Sequence, residues 1–148
     1  MSEIDTVVDP VAWQRIQQNI RTLMQKRASI QDMIDELTRD GCVHGNIVDE
    51  FRNVTVPGKK PSGPYYRLTF YTDPKTGVKP RPKYLGKNME RVQRVQEQID
   101  NYKVREEYTA ELTEINRVLD QVRSYIKSID KFLQTNTEEY QQPRLVTV

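Results

Sequence analysis

The chain is poor in the side chains that do chemistry. It has one cysteine, Cys42, one histidine, His44, and one tryptophan, Trp13, in 148 residues. A single cysteine excludes an internal disulfide framework and suits a reducing, cytoplasmic setting. Cys42 and His44 stand two residues apart, but a zinc site needs two further ligands, and the sequence has no other Cys or His. As nucleophile and base they would be near neighbours on one strand face, which seldom aligns the two. Both are read as structural. The segment Gly58-Lys59-Lys60 lacks the rest of a phosphate-cradling loop. The neighbouring acids Asp49-Glu50 and Glu106-Glu107 look like solvated polar positions. These absences point away from an enzyme, a metal site or any other cofactor. No run approaches the ~18 apolar residues that would span a membrane. The start, MSEIDTVVDP, has neither the basic nor the apolar part of a signal peptide.

What is present is charge, unevenly placed. The net charge is only +2. Yet from Pro57 to Arg94 ten basic residues face two acids, a net of +8, and the remainder carries −6. A basic head on an acidic body is the electrostatic footprint of a polyanion binder. A polybasic membrane patch would fit too, but no amphipathic apolar face or lipidation motif accompanies it.

The centre of that basic segment reads as one β-hairpin, PYYRLTFYTDPKTGVKPRPKYLGK, Pro64 to Lys87. Tyr66, Leu68 and Phe70 alternate with Tyr65, Arg67, Thr69 and Tyr71. Asp73-Pro74-Lys75-Thr76-Gly77 is turn chemistry. In the return run Val78, Pro80, Pro82 and Tyr84 alternate with Lys79, Arg81 and Lys83. Joining the apolar faces pairs Leu68 with Pro82 and Phe70 with Pro80. That register places Arg67 opposite Lys83, Thr69 opposite Arg81 and Tyr71 opposite Lys79: a face of four cations and no acid. Like charges opposite each other destabilise a sheet, so such a face suits a polyanion. The alternative is an edge hairpin made basic against aggregation. The two prolines cannot donate to a ladder, so Val78–Leu85 should be an edge strand. A third strand, within Asn46–Val56, should join beside Tyr65–Tyr71.

Two long helical patterns flank this segment. Asp9-Pro10 caps and starts the first. Trp13, Ile16, Ile20, Leu23, Arg27, Ile30, Ile34 and Leu37 then step alternately by three and four residues, a coiled-coil seam with one polar member. Arg27 is expected to pair with an acid across the coil, Asp120 being nearest. Gly41 ends the helix. Asn88 is a plausible cap for the second pattern. There Met89, Val92, Val95, Ile99 and Tyr102 make one stripe, and Tyr108, Leu112, Ile115, Leu119, Val122, Ile126, Ile129 and Leu133 another. The stripes differ in phase, so a bend or shift is expected near Val104–Glu107. Antiparallel pairing would set Trp13 near Leu133 and Leu37 near Tyr108. The predicted fold is α+β: a long antiparallel helical (coiled-coil) hairpin carrying a small inserted β-sheet-plus-helix head. Its parts are a first arm at 9–40, the head at 42–104, a second arm at 105–135 and a loose tail at 136–148. Residues 1–8 look disordered. Met24, Val118, Tyr125 and Phe132 widen the seams, which implies another layer. A homodimer supplies it, or the chain's own tail does.

The motif GPYYRLTFYTDPKTG…KYLGK, residues 63–87, resembles a small uncharacterised prokaryotic domain family with a G-P-Y-Y motif, a hairpin, a K/R-Y-[LI]-G ending and then a helix. Its members often carry an upstream cysteine cluster, of which only Cys42 is present, and occur near mobile elements. The same stretch also resembles the arm-type DNA-binding domain of tyrosine recombinases. That resemblance implies Arg67, Thr69, Tyr71, Lys79, Arg81 and Lys83 as groove or phosphate contacts.

The expected function is therefore non-enzymatic nucleic-acid binding, duplex DNA ahead of RNA, with no membrane role. The contacts expected are Arg67, Thr69, Tyr71, Lys75, Lys79, Arg81, Lys83, Lys87, Lys59, Lys60 and Arg91. For RNA, Tyr65 and Tyr71 would serve as stacking platforms. The alternative is a coiled-coil adaptor or regulator of a larger complex, in defence or anti-defence, with a protein partner.

Overall fold

The structure, a computed structural model, describes residues 4–52, 58 and 62–141. A single helical turn, α1 (Ile4–Val7), stands where disorder is expected. Helix α2 (Pro10–Asp40) starts as its sequence dictates: the Asp9 carboxylate accepts the Val11 amide at 3.0 Å, and Pro10 takes the first helical position. It ends on Gly41, whose φ of 103° suits a glycine and whose amide returns to the Leu37 carbonyl at 3.1 Å.

Three antiparallel strands follow, β1 (Gly45–Arg52), β2 (Ser62–Phe70) and β3 (Lys83–Gly86), in the order β1-β2-β3. The return strand is thus at the edge and the upstream strand on the other side of β2, as expected, although Pro80 and Pro82 themselves stand outside β3. Residues 53–56 of the expected upstream strand lie outside the described residues. Helix α3 (Met89–Gln141) runs unbroken for 53 residues. Asn88 caps it, accepting the Glu90 and Arg91 amides at 3.1 and 3.3 Å. No break interrupts the helix near 104–107, where the stripe changes phase. The helix changes neighbours there and keeps its hydrogen bonding. Helix also extends through 136–141, where a loose tail is expected; residues 142–148 lie outside the described residues.

The chain divides into two compact units. In Ile30–Ala110 the core is Leu68 and Leu85 from the sheet against Val92, Val95 and Ile99 of α3, with Val43, Ile47, Tyr66 and Phe70 packed around them. Fully burying one such side chain contributes about 1.5–3 kcal/mol. The α2–β1 connection is pinned onto α3 by the Val43 amide on the Gln98 carbonyl (3.0 Å) and the Asn101 side chain on the Gly41 carbonyl (3.1 Å). In the other unit, Met1–Ser29 with Glu111–Val148, the helical segments run antiparallel. Lys26 bonds Glu111 at 2.8 Å, while Ile20 and Met24 share a groove with Val122 and Ile126. Ile115 and Leu119 are buried there. Asp120 pairs with Arg123 at 3.4 Å, not with Arg27, which instead lines the groove. A neighbour one helical turn away reaches that carboxylate without crossing the seam. No helix among the described residues is long and apolar enough to cross a membrane.

Candidate nucleic-acid interface

One face of the sheet is covered by α3. The other carries Asn46, Val48 and Glu50 of β1, Tyr65, Arg67 and Thr69 of β2, and Tyr84 of β3, as the pairings Asn46↔Thr69, Val48↔Arg67, Glu50↔Tyr65 and Arg67↔Tyr84 require. The β2–β3 register differs by one residue from the expected one. Leu68 faces Lys83 and Arg67 faces Tyr84, and the ladder then slips so that Tyr66 faces Gly86. The extra residue is Leu85, the most deeply buried side chain of the chain's described part. Gly86, at φ 71°, supplies the positive dihedral that such bulges use.

The four-cation face is consequently not formed. Pro80 and Pro82 cannot donate ladder bonds, so residues 77–82 leave the sheet and β3 begins only at Lys83. Lys79 and Arg81 are exposed on that extended segment. Lys83 pairs with Leu68 and so belongs by alternation to the inner side, at the exposed edge. Arg67 stays on the outer face, where Glu50 approaches it at 3.9 Å. Its Nε is buried and has no hydrogen-bond partner among the described residues. Thr69 stays there too, its hydroxyl donating to the Asn46 carbonyl at 3.1 Å.

The outer face gathers aromatics that the expected register had separated. The Tyr65 and Tyr84 rings lie 6.3 Å apart at 29°, and Lys87 sets its ammonium 4.9 Å from the Tyr65 centroid. The Tyr65 hydroxyl is 2.6 Å from Ser62 Oγ. Tyr84 is 49% exposed. An exposed ring beside a cation and a guanidinium can stack a base and hold its phosphate. The signal for this arrangement was the Leu85-Gly86 pair: one strong core residue followed by a glycine.

Tyr71 belongs to a different group. Its amide donates to the His44 carbonyl at 3.2 Å, and its ring lies 4.6 Å from the His44 imidazole. His44 in turn stacks on Tyr102 of α3 at 4.3 Å and 10°, and Arg105 caps Tyr102 at 5.4 Å. The stack ties the end of the sheet to α3 and borders a cleft of about 590 Å³ shared by Cys42, Lys75, Arg105 and Glu106. Burial raises the Tyr102 pKa, helped by Glu106 and Cys42 and opposed by Arg105. The Cys42 thiol donates to the Leu37 carbonyl at 3.4 Å.

Comparison with protein-family models, curated proteins and solved structures finds no match. The geometry alone therefore carries the functional reading. Among the described residues no group of three or more His, Cys, Asp or Glu could hold a metal ion. Lys75 lies in the hairpin turn, its amide held by Asp73 at 2.9 Å. Arg91 is exposed in the first turn of α3. Lys59 and Lys60 lie outside the described residues. Of the expected oligomerisation residues, Met24 lines the groove with Arg123 and Lys127. Tyr125 follows Arg123 by two residues, about 200° around the helix. Val118, Tyr125 and Phe132 share a line at seven-residue spacing, so they occupy the opposite flank of α3 from the Arg123 edge that Met24 meets.

Proposed function

We propose that this protein binds nucleic acid without catalysing a reaction, and that it takes a single strand across the outer face of its sheet. The observation that carries the reading is Tyr84 placed opposite Arg67, beside Tyr65 and Lys87. Two aromatic rings offer stacking surfaces to bases of any identity. Lys87, Lys83, Arg81 and Lys79 are exposed along the adjoining edge and supply backbone neutralisation. The loss of the cationic ribbon shifts the preference from a duplex groove to unpaired strands, DNA or RNA.

A second reading rests on the edge segment itself. Lys75, Lys79, Arg81, Lys83 and Lys87 are exposed within thirteen residues and suit phosphate contacts on a duplex. Fluorescence anisotropy with labelled single-stranded DNA, RNA and duplex separates the two. Tyr84→Ala should weaken single-strand binding by about 5- to 100-fold, the range of one lost base stack. It should leave duplex binding nearly unchanged. Unaltered single-strand affinity in Tyr84→Ala removes the first reading. Unaltered affinity for every nucleic acid in Lys79→Ala/Arg81→Ala/Lys83→Ala removes both and leaves an acidic protein partner for the head.

A further inference from the structure

The outer face of the sheet carries a charged pair beside its two rings. Arg67 stands opposite Tyr84 across the β2–β3 ladder, and Glu50 stands opposite Tyr65 across the β1–β2 ladder. Arg67 Nη2 lies 3.9 Å from Glu50 Oε2, well beyond the ~2.7–2.9 Å of a charge-assisted hydrogen bond. Both side chains keep an open surface, 42% for Arg67 and 43% for Glu50. An exposed pair of this kind holds itself together weakly, so a ligand separates it at little cost. Arg67 Nε, in contrast, is buried and has no hydrogen-bond partner among the described residues.

The pair offers its polar atoms in a fixed order. Nη2 donates, and the carboxylate beside it accepts at two oxygens. The row is donor, acceptor, acceptor. The Watson–Crick edge of an unpaired guanine shows the reverse: O6 accepts, while N1–H and the N2 amino group donate. Guanine therefore fills all three positions. Adenine offers one donor and one acceptor and fills two. Uracil or thymine sets its second carbonyl against a carboxylate oxygen. Cytosine needs two guanidinium nitrogens beside one carboxylate oxygen, and the fork that Nη2 forms with Nε is closed because Nε is buried. Single strands expose this edge of their bases to a protein, and a duplex hides it.

We propose that Arg67 and Glu50 make the single-strand site selective for guanine, the base lying on the Tyr84 ring with its O6 on Arg67 and its N1 and N2 hydrogens on Glu50. This inference rests on the single-strand reading above and adds the base that the site prefers. The rings stack any base, and the charged pair makes the choice. Tyr84 lies directly across from Arg67, and residues so placed bring their Cβ atoms within ~4.5–5.5 Å. A base on that ring therefore turns its edge to the pair. Tyr65, opposite Glu50 and under the Lys87 ammonium, is left for the neighbouring nucleotide.

Fluorescence anisotropy of the full chain with labelled oligothymidylates of about 10 nucleotides tests it, one central thymine being replaced in turn by guanine, adenine or cytosine. The guanine strand should bind about 5- to 150-fold more tightly than the all-thymine strand, the range of one well-matched bidentate contact. Adenine and cytosine should gain less. Hypoxanthine in place of guanine removes the N2 amino group and should lose much of the gain. The 7-deaza analogue of guanine keeps the whole edge and should retain it. Glu50→Gln turns one accepting oxygen into a donor and should abolish the preference for guanine over thymine, with circular dichroism unchanged. Equal affinity for all four strands, while Tyr84→Ala still weakens them, overturns this inference and leaves the single-strand reading standing. No binding to any strand overturns both. A guanine preference that persists undiminished with hypoxanthine or in Glu50→Gln, or that vanishes with the 7-deaza analogue, assigns the base to other groups and overturns the inference as well.

Discussion

Tyr102 shows how one side chain records its surroundings. Its hydroxyl has a raised pKa because burial, chiefly, and then Glu106 disfavour the phenolate, with Arg105 partly compensating. Folding therefore tightens the proton on this oxygen. The resulting stability is complete below the unfolded value of about 10. It is lost as pH rises through the higher folded value. Ultraviolet titration of tyrosinate should show a late-ionising component, and Tyr102→Phe should remove it. The same variant keeps the ring against His44 and should make stability fall less steeply above pH 10. A residue of the opposite kind is Leu85, which is apolar, nearly inaccessible and in the bulge. Leu85→Ala should cost about 2–5 kcal/mol in chemical denaturation. It should also weaken single-strand binding, because Leu85 sets the phase that turns Tyr84 outward.

At the scale of elements, local chemistry settles the ends and the register settles which side chains share a face. Asn88 satisfies two amides at the start of α3, and Asn88→Ala should cost about 1 kcal/mol in thermal or chemical unfolding. Gly45 faces Phe70 across the β1–β2 ladder, and a Cβ there would run into the Thr69 carbonyl oxygen. Gly45→Ala should therefore disrupt the ladder, read as faster amide exchange in β1 and β2. Caps, the Asp73–Gly77 turn and the strand order were all legible in the sequence, because each depends on residues within a few positions or on what proline cannot do. The turn closes as written: the Asp73 amide reaches the Val78 carbonyl at 3.0 Å and the Gly77 amide the Asp73 carbonyl at 2.8 Å. The register was not legible. Alternation from Val78 to Tyr84 presumes an unbroken strand, but Pro80 and Pro82 leave the ladder and free its phase. Leu85 then takes the core position that alternation had denied it. The His44 stack was hidden for a related reason, since it unites residues from three separate segments whose spacing carries no periodic signal.

For the molecule as a whole, net charge is a poor guide and its partition a good one. The unit Ile30–Ala110 has fourteen basic and twelve acidic residues, so the basic hairpin shares its own unit with the acids of α2 and α3, among them Asp32, Asp35, Glu97 and Asp100. With charges so nearly balanced, such a unit would meet phosphate, on the proposed function, through a few local cations rather than through a broad positive field. If three to five of them meet a single strand, the logarithm of affinity should fall against the logarithm of salt with a slope of about −2 to −4. A steeper slope would require more cations than the sheet edge presents.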